Sequence, residues 1–457
     1  MAMMTREEYV ASLDDGRRTF AEGEEIKDLA SHPQFATAIS LVGEGYEQNY
    51  IPGDDASGPY FRIPHSPGEL KEILELLADW DMVTVTTSQG LLALITAATR
   101  MRADYPELAD RIEKYFDYCK QNDLRCVQAI TDAKGDRKLA PGQQADPDVY
   151  TRIVERRPDG IVIRGAKLHI SSASVSHELV VMPTKNMKPG DEDYAVACAV
   201  PVNAPGVRIV NTSYAPRERV EDFPVSGKFN MPEGFIIFDD VFVPNERVFL
   251  DGQTEYSAAF AHALGLWERL GGTAHMAEFA DQLVGLAQLI AEANGTERIP
   301  HIKEKINEMV IYATMTRAGL EAAIANAELS EEGWCFPSEL YTNAAKHYAA
   351  ADYSLMVRHL HDIGGGSILT APSIQDLQSE EVGPFIEKYM ATKEGISGEY
   401  RLRLFHAIRD FTADAYGGWQ LVTMLQSGGG LYAQRMVARK HYDMDHAKKL
   451  ALRLAGL

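Results

Sequence analysis

Apolar and polar residues change their spacing twice along the chain. Up to about residue 135, apolar side chains recur every three or four positions among interleaved charges, as in Glu69-Leu70-Lys71-Glu72-Ile73-Leu74-Glu75-Leu76-Leu77 and Arg111-Ile112-Glu113-Lys114-Tyr115-Phe116. That period buries one face of a helix and solvates the other. Between about 150 and 255 the texture becomes short β-branched runs bounded by Gly, Pro, Asn and Asp. Examples are Gly160-Ile161-Val162-Ile163-Arg164-Gly165, Leu179-Val180-Val181-Met182-Pro183 and Gly234-Phe235-Ile236-Ile237-Phe238-Asp239-Asp240. Such runs, with a turn about every ten residues, predict antiparallel strands in a barrel or sandwich. Beyond about 256 the helical period returns, in stretches such as Ile306 to Met315 and onward, and Tyr400 to Tyr416. Its breaks are Gly364-Gly365-Gly366, Gly417-Gly418 and Gly428-Gly429-Gly430.

The order of zones predicts an α+β protein: an N-terminal helical domain over 1–135, a β domain over 136–255 and a C-terminal helical bundle over 256–457, whose long helices could also carry subunit contacts. It excludes the strand–helix alternation of a dinucleotide-binding sheet. Gly428-x-Gly430-x-x-Ala433 matches that fold's glycine fingerprint in letters, but it lies between helices rather than after a strand.

Composition adds mainly exclusions. With 457 residues, 45% hydrophobic and 24% charged, the chain is an ordinary globular one that can bury a large core. Its 66 acidic against 45 basic residues, net −21, argue against a nucleic-acid or anionic-membrane partner. The start, Met1 to Glu8, has no apolar stretch of the secretory kind, and no later apolar run is expected to reach membrane-spanning length, so a cytoplasmic protein is predicted. Cys119, Cys126, Cys198 and Cys335 contain no CxxC pair and offer no usual metal spacing. His441, Asp443, Asp445 and His446 would spread around a helix rather than converge on a metal. Neither a Gly-x-Ser-x-Gly elbow nor an HExxH is present.

Two polar clusters remain. Ile130-Thr131-Asp132-Ala133-Lys134-Gly135-Asp136-Arg137 marks the junction of the first two zones. It reads either as a solvated connector or as a loop whose Thr, Lys and backbone amides hold a diphosphate or a flavin edge. Gly165-Ala166-Lys167-Leu168-His169-Ile170-Ser171-Ser172-Ala173-Ser174 follows a predicted strand. It is either structural or a place where small hydroxyl residues let a flavin ring approach the backbone. His169 alone is as readily a packed or surface histidine.

Three segments make the chain recognisable: Glu7-Glu8-Tyr9-Val10-x-Ser12-Leu13-x-x-Gly16-Arg17, Gly160 to Lys167, and Phe238-Asp239-Asp240-Val241-Phe242-Val243-Pro244-Asn245-Glu246-Arg247-Val248. They resemble the family that unites the oxygenase component of 4-hydroxyphenylacetate 3-monooxygenase with 4-hydroxybutyryl-CoA dehydratase. The stretch Asp136-Arg137 through Ala145-Asp146-Pro147-Asp148 looks especially like the dehydratase branch. The resemblance implies an acyl-CoA-dehydrogenase-like fold, FAD, and a homotetramer whose flavin sites are completed by a neighbouring subunit. It assigns cofactor contacts to Thr131, Asp132, Lys134, Asp136, Arg137, His169, Ser171, Gly364, Gly365, Gly417 and Gly418.

At the reaction centre the chain departs from both branches. Where the dehydratase holds a [4Fe-4S] cluster through three cysteines and a histidine, the matching positions are Thr84, Ser88, Leu266 and Thr273. Hydroxyls and a leucine cannot replace thiolate and imidazole, so no cluster is expected. Where the monooxygenase grips a phenol with arginine, tyrosine and histidine, the match is Thr84, Ser88 and Gln128, a neutral trio that can hydrogen-bond a neutral or differently charged substrate. The function implied is a two-component monooxygenase that takes reduced FAD from a partner reductase and uses O2 on carbon or nitrogen of a small organic substrate. Thr84, Ser88 and Gln128 would orient the reactants, with Leu266 and Thr273 beside the substrate. Leu91-Leu92-Ala93-Leu94-Ile95, Leu264, Leu266 and Trp267 would be dry walls. The alternatives are a cluster-free FAD-dependent lyase, isomerase or desaturase, and a non-catalytic flavin-binding oligomer.

Overall fold

The computed structural model describes residues 3–53, 56–77, 80–212, 217–229 and 231–457. The first zone forms α1 (Arg6–Ser12), a small hairpin of β1 (Thr19–Ala21) and β2 (Glu24–Ile26), α2 (Pro33–Asn49), α3 (Pro67–Leu77), α4 (Met82–Met101), α5 (Pro106–Gln121) and β3 (Cys126–Ala129). The middle zone forms β4 (Arg152–Arg157), β5 (Gly160–Ser171), β6 (Glu178–Val181), β7 (Val196–Pro201), β8 (Val207–Thr212), β9 (Glu233–Pro244) and β10 (Val248–Asp251). Then come α6 (Thr254–Asn294), α7 (Pro300–Ala325), α8 (Glu339–Gly364), the short α9 (Ser367–Thr370) and α10 (Ile374–Leu377), and α11 (Gly383–Met390). The chain finishes with α12 (Gly398–Thr412), α13 (Ala415–Gln426), α14 (Leu431–His441) and α15 (Met444–Leu454).

These ten strands make two open sheets, ordered β2-β1-β8-β9-β5-β4 and β10-β7-β6-β3, and a separate two-stranded ribbon pairs Glu328–Leu329 with Cys335–Phe336 between α7 and α8. The barrel half of the sequence expectation is therefore corrected: each sheet keeps two edge strands, and the pair is a sandwich. The pairing is not wholly antiparallel either, because β3 runs parallel to β6 and β1 parallel to β8. Three- and four-residue strands are too short to show a period of two, which is why the hairpin and β3 were hidden in a helical zone.

One sheet is covered on both faces. Leu179, Val181, Val196, Cys198 and Val200 face the other sheet, whereas Val180, Met182, Ala197 and Ala199 face the helices. This is the physical origin of the unbroken Leu179-Val180-Val181-Met182 run. On the helical side lies α4, almost wholly buried, with Asp81 capping its first turn by accepting from the amides of Val83 and Thr84. By length and mean hydropathy, 1.3 over its most apolar window, α4 could cross a membrane, which corrects the expectation that no run reaches that length. Here 83% of that window is buried among protein neighbours, so α4 is the central core helix. The 41-residue α6 joins two cores: Phe260, Leu264, Trp267 and Leu270 pack with α4, and Met276 to Ala293 pack in the C-terminal bundle.

Candidate functional site

From the end of β3 the chain crosses β5 through residues 130–137. Lys167 on β5 lies underneath, its Nζ donating to Asp132 Oδ1 at 2.8 Å, Ile130 O at 3.0 Å and Met182 O at 2.8 Å. Leu168 N donates to Thr131 O at 2.7 Å. At the far end Gln144 clasps Asp136, accepting from its amide at 3.0 Å and donating to its carbonyl at 2.8 Å. Lys134 and Gly135 both have positive φ, +73° and +48°. A Cβ on Gly135 would lie 2.3 Å from Gln144 Oε1 and 2.9 Å from Val149, so glycine permits this close turn. The charged side chains left facing outward are Lys134, Asp136 and Arg137, with Asp136 Oδ1 accepting from Lys138 N at 3.0 Å. Lys134 is half-buried, its ammonium pushed below the usual lysine range by burial and by Arg137 and Lys167, and Arg137 is exposed.

The later predicted segments meet at a seam between the sandwich and the C-terminal helices. Between Lys167 and Ile170 the β5–β9 register slips by one residue, a bulge that carries His169 at φ +62°. Two residues on, Ser171 Oγ donates to Glu233 Oε2 at 2.8 Å, and Trp419 Nε1 donates to Glu233 Oε1 at 2.9 Å. One carboxylate thus ties β5 to α13 just beyond Gly417 and Gly418. Gly417 itself lies against Thr412, where a Cβ would come within 2.3 Å of backbone carbon, and Thr412 Oγ1 is 2.7 Å from His361 Nε2, one turn before Gly364 and Gly365. Gly365, at φ +74° and ψ −168°, takes a conformation open essentially to glycine alone. Residues 130–132 are thus held to β5 at Lys167 and Leu168, Ser171 reaches α13 through Glu233 and Trp419, and Gly417 packs against Thr412, whose hydroxyl meets His361.

The predicted catalytic trio is divided among three settings. Thr84 is buried and its hydroxyl is committed, donating to Asp81 Oδ2 at 2.5 Å and accepting from Arg125 Nε at 3.0 Å. Ser88, one turn along, lines a small hollow with Gln89 and Leu92 of α4, Leu77 of α3, and Trp267 and Gly271 of α6. Gln128 leaves β3 to lie along α4, donating to Thr86 O, and only the bare Cα of Gly90 admits it: a Cβ there would be 2.8 Å from its Nε2. On α6, Leu266 is buried and Thr273 donates back to Arg269 O at 2.7 Å. Trp267 Nε1 bridges to Thr96 Oγ1 at 2.9 Å, locking α6 to α4. Of the predicted dry walls, Leu92 and Trp267 line the hollow, Ile95 lines a separate cleft, and Leu91, Leu94, Leu264 and Leu266 are core.

Sequence reasoning missed Arg125, Asp81, Asp123, Lys167 and Glu233. Arg125 is fully buried between the rings of Tyr46 and Tyr60, 3.8 and 4.1 Å from their centroids, and Nη1 donates to Asp123 Oδ1 at 3.2 Å. Desolvation raises the Asp81 carboxyl, offset in part by Arg125 and Thr84. Behind the Leu266–Thr273 segment, burial lifts Glu268 to about 7 and lowers Lys346 to about 8. A cleft of about 710 Å³ is lined by Phe61, Phe116, Ile95 and Trp334, among others, and by none of the predicted flavin segments. The Sγ atoms of Cys119 and Cys126 lie 3.6 Å apart in the core. Among the described residues, no group of three or more His, Cys, Asp or Glu side chains is placed to hold a metal ion.

Similarity to characterised proteins runs the length of the chain. The 4-hydroxybutyryl-CoA dehydratase/vinylacetyl-CoA-Δ-isomerase of Clostridium aminobutyricum is 28% identical over all of both chains. The oxygenase component of 4-hydroxyphenylacetate 3-monooxygenase from Thermus thermophilus is 27% identical over 91% of this chain and 90% of its own. A crystal structure of such an oxygenase component complexed with FAD superposes with a TM-score of 0.88 at 24% identity, covering 99% of this chain and 98% of the other. Residues 5–250 match the N-terminal model of the 4-hydroxyphenylacetate 3-hydroxylase family and residues 257–456 its C-terminal model, and the chain belongs to that family.

Proposed function

We propose that this protein is the oxygenase of a two-component flavin-dependent monooxygenase, receiving reduced FAD from a partner reductase and acting on a small organic substrate. The observations that support the reading are the match of both family models along the chain and the fastening of residues 131–132 to β5, the strand that also carries His169 and Ser171, with Lys134 and Arg137 on the loop beyond. FAD fits the loop and the open turn: Lys134 and Arg137 suit its diphosphate, and Gly365, where a Cβ would meet nothing within 4 Å, leaves bare backbone open to a ligand. Bound and reduced, the flavin would supply the activation of O2. The chain's part is to hold the cofactor by residues 131–137, to exclude water with the apolar surround of Leu77, Leu92, Trp267 and Leu270, and to offer the Ser88 hydroxyl within that surround, while Gln128 stays committed to Thr86 O. The hollow at Ser88 has no charged lining residue and, at about 10 Å³, room for about one water, so a neutral substrate group would enter it only as its walls move apart.

A second reading, a cluster-free FAD-dependent lyase, isomerase or desaturase, draws on the full-length similarity to the dehydratase. Against the dehydratase's own reaction stands the donor set: Thr84 and Thr273 spend their hydroxyls on protein partners, and Leu266 has no donor atom. Soft iron–sulfur ligation does not fit these positions.

The two readings separate in one experiment. Anaerobically reduced FAD is mixed with the protein and then with oxygenated buffer, and flavin absorbance is followed. The oxygenase reading expects a near-ultraviolet band that forms before the oxidised-flavin band returns; return as fast as for free flavin sinks it. Stoichiometric iron and sulfide in the purified protein would overturn the reading of Thr84, Ser88, Leu266 and Thr273.

A further inference from the structure

Resting on the flavin reading, the hydrogen-bond count at Asp132 leads to a different role for that residue than cofactor contact. An ammonium has three protons, and those of Lys167 go to Asp132 Oδ1, Ile130 O and Met182 O. The carboxylate is equally committed. Oδ1 also accepts from Thr151 N at 2.9 Å, and Oδ2 lies against the Thr184 hydroxyl, which accepts from Asp132 N at 2.9 Å and whose one proton is shared between Oδ2 and Ile130 O. Both side chains are sealed, 2% and 1% exposed. Neither can reach a ligand without giving up a partner inside the fold, where an orphaned charge is strongly unfavourable.

We infer that Asp132 and Lys167 are the positioning pair of the flavin loop: a buried ion pair that pins residues 130–132 onto β5 and so sets where Thr131, Lys134 and Arg137 face the cofactor. The pin works from a single point. Lys167 holds Ile130 and Asp132 at the start of the loop and Met182 just after β6, while the adjacent Leu168 amide holds Thr131 O. With Gln144 closing the far end at Asp136, the loop is fixed at both feet and free only across its cationic crest. The bulge immediately after Lys167 turns His169 outward, so the same strand anchors the loop beneath and offers a second side chain above.

The test uses the full-length protein with Lys167→Met and the neutral double variant Asp132→Asn/Lys167→Met, each measured for FAD affinity, thermal midpoint and hydrogen exchange. Lys167→Met alone leaves a buried carboxylate unpaired and lowers the midpoint. The double variant removes both charges and recovers most of it. In both, FAD binding weakens on the order of tenfold or more, because a thioether cannot hold two carbonyls in place. Amides 130–137 lose protection while β6 and β7 keep theirs. The inference is overturned if the double variant regains FAD affinity along with its midpoint, or if the loop's exchange is unchanged. Wild-type protein that binds no FAD at all would instead remove the flavin reading, and loop exchange would still decide whether the pair positions the loop.

Discussion

His177 must stay neutral for the fold to close around it. Its Nδ1 accepts from the Arg125 amide at 2.9 Å, so that nitrogen cannot carry a proton, and Nε2 meets Ser12 Oγ at 2.8 Å. Burial first, then Arg17 and Arg125, depress it to about 3. In the unfolded chain it titrates near 6.5. This depressed group contributes its full stability above about pH 6.5, and the contribution falls as pH drops from there toward 3, by about 1 kcal/mol per pH unit. Urea midpoints at about pH 7.5 and about pH 5 check this: His177→Asn, whose amide oxygen can keep the Arg125 contact, should flatten the slope. Parallel loss in both proteins would refute the assignment. Arg125 carries a larger stake. Arg125→Met strands Asp123 and Asp81 and strips the cation from between Tyr46 and Tyr60, and should cost about 3–5 kcal/mol in chemical denaturation. A loss under about 1 kcal/mol would mean that the network is not coupled.

At the scale of elements, the two glycines of Gly417-Gly418 have opposite demands. Gly417 packs against Thr412, and a Cβ would sit 2.3 Å from its carbonyl carbon, so Gly417→Ala must push α13 away from α12 and should lower stability by about 2 kcal/mol or more. Gly418 faces open space inside the same helix, and Gly418→Ala should raise the thermal midpoint, with up to about 1 kcal/mol from helix propensity. If both variants behave alike, the α12–α13 turn is not as described. The sequence shows two glycines and a break, and cannot say which one is held by a neighbour. The same limit applies across the fold. Long amphipathic helices and the alternating β8 and β9 announce themselves by period, whereas β3 is four residues long and Arg125 precedes it looking like any exposed charge. Residues 131–137 and 169–171 were legible as polar clusters at element ends. Lys167 lay inside the second cluster without distinction, because what matters is the two carbonyl oxygens and one carboxylate oxygen around its ammonium, which come from two stretches of chain distant in sequence from it and from each other, 130–132 and 182. Glu233 is invisible for the same reason, since its meaning lies in the simultaneous reach to Ser171 and Trp419.

Considered whole, the molecule leaves an apolar surface that one copy does not cover. On α15 none of the residues is buried, yet Met444, Ala447, Leu450, Ala451 and Leu454 recur at helical spacing along one side, and Leu454 is 91% exposed. An isolated helix of this length is marginal in water, so its apolar side needs a partner. Val422 on α13 and Tyr432, 75% exposed, and Met436 on α14 extend the uncovered surface toward the same end of the chain. Patches of this kind mark association surfaces, and a second copy of the chain is the partner that would bring its own glycine turns near the first copy's flavin loop. The net charge of −21 opposes that approach through space, so association should tighten as salt is raised from about 0.05 to about 0.3 M, where repulsion is screened and apolar contact is not. Sedimentation velocity tests this with wild type and Leu450→Glu/Leu454→Glu. If a neighbour completes each flavin site, as the family resemblance implies, the wild type should run as a tetramer and the variant as a smaller species with weaker FAD binding. A wild-type monomer at micromolar concentration would refute the shared site. A variant that remains tetrameric would place the contact elsewhere than α15.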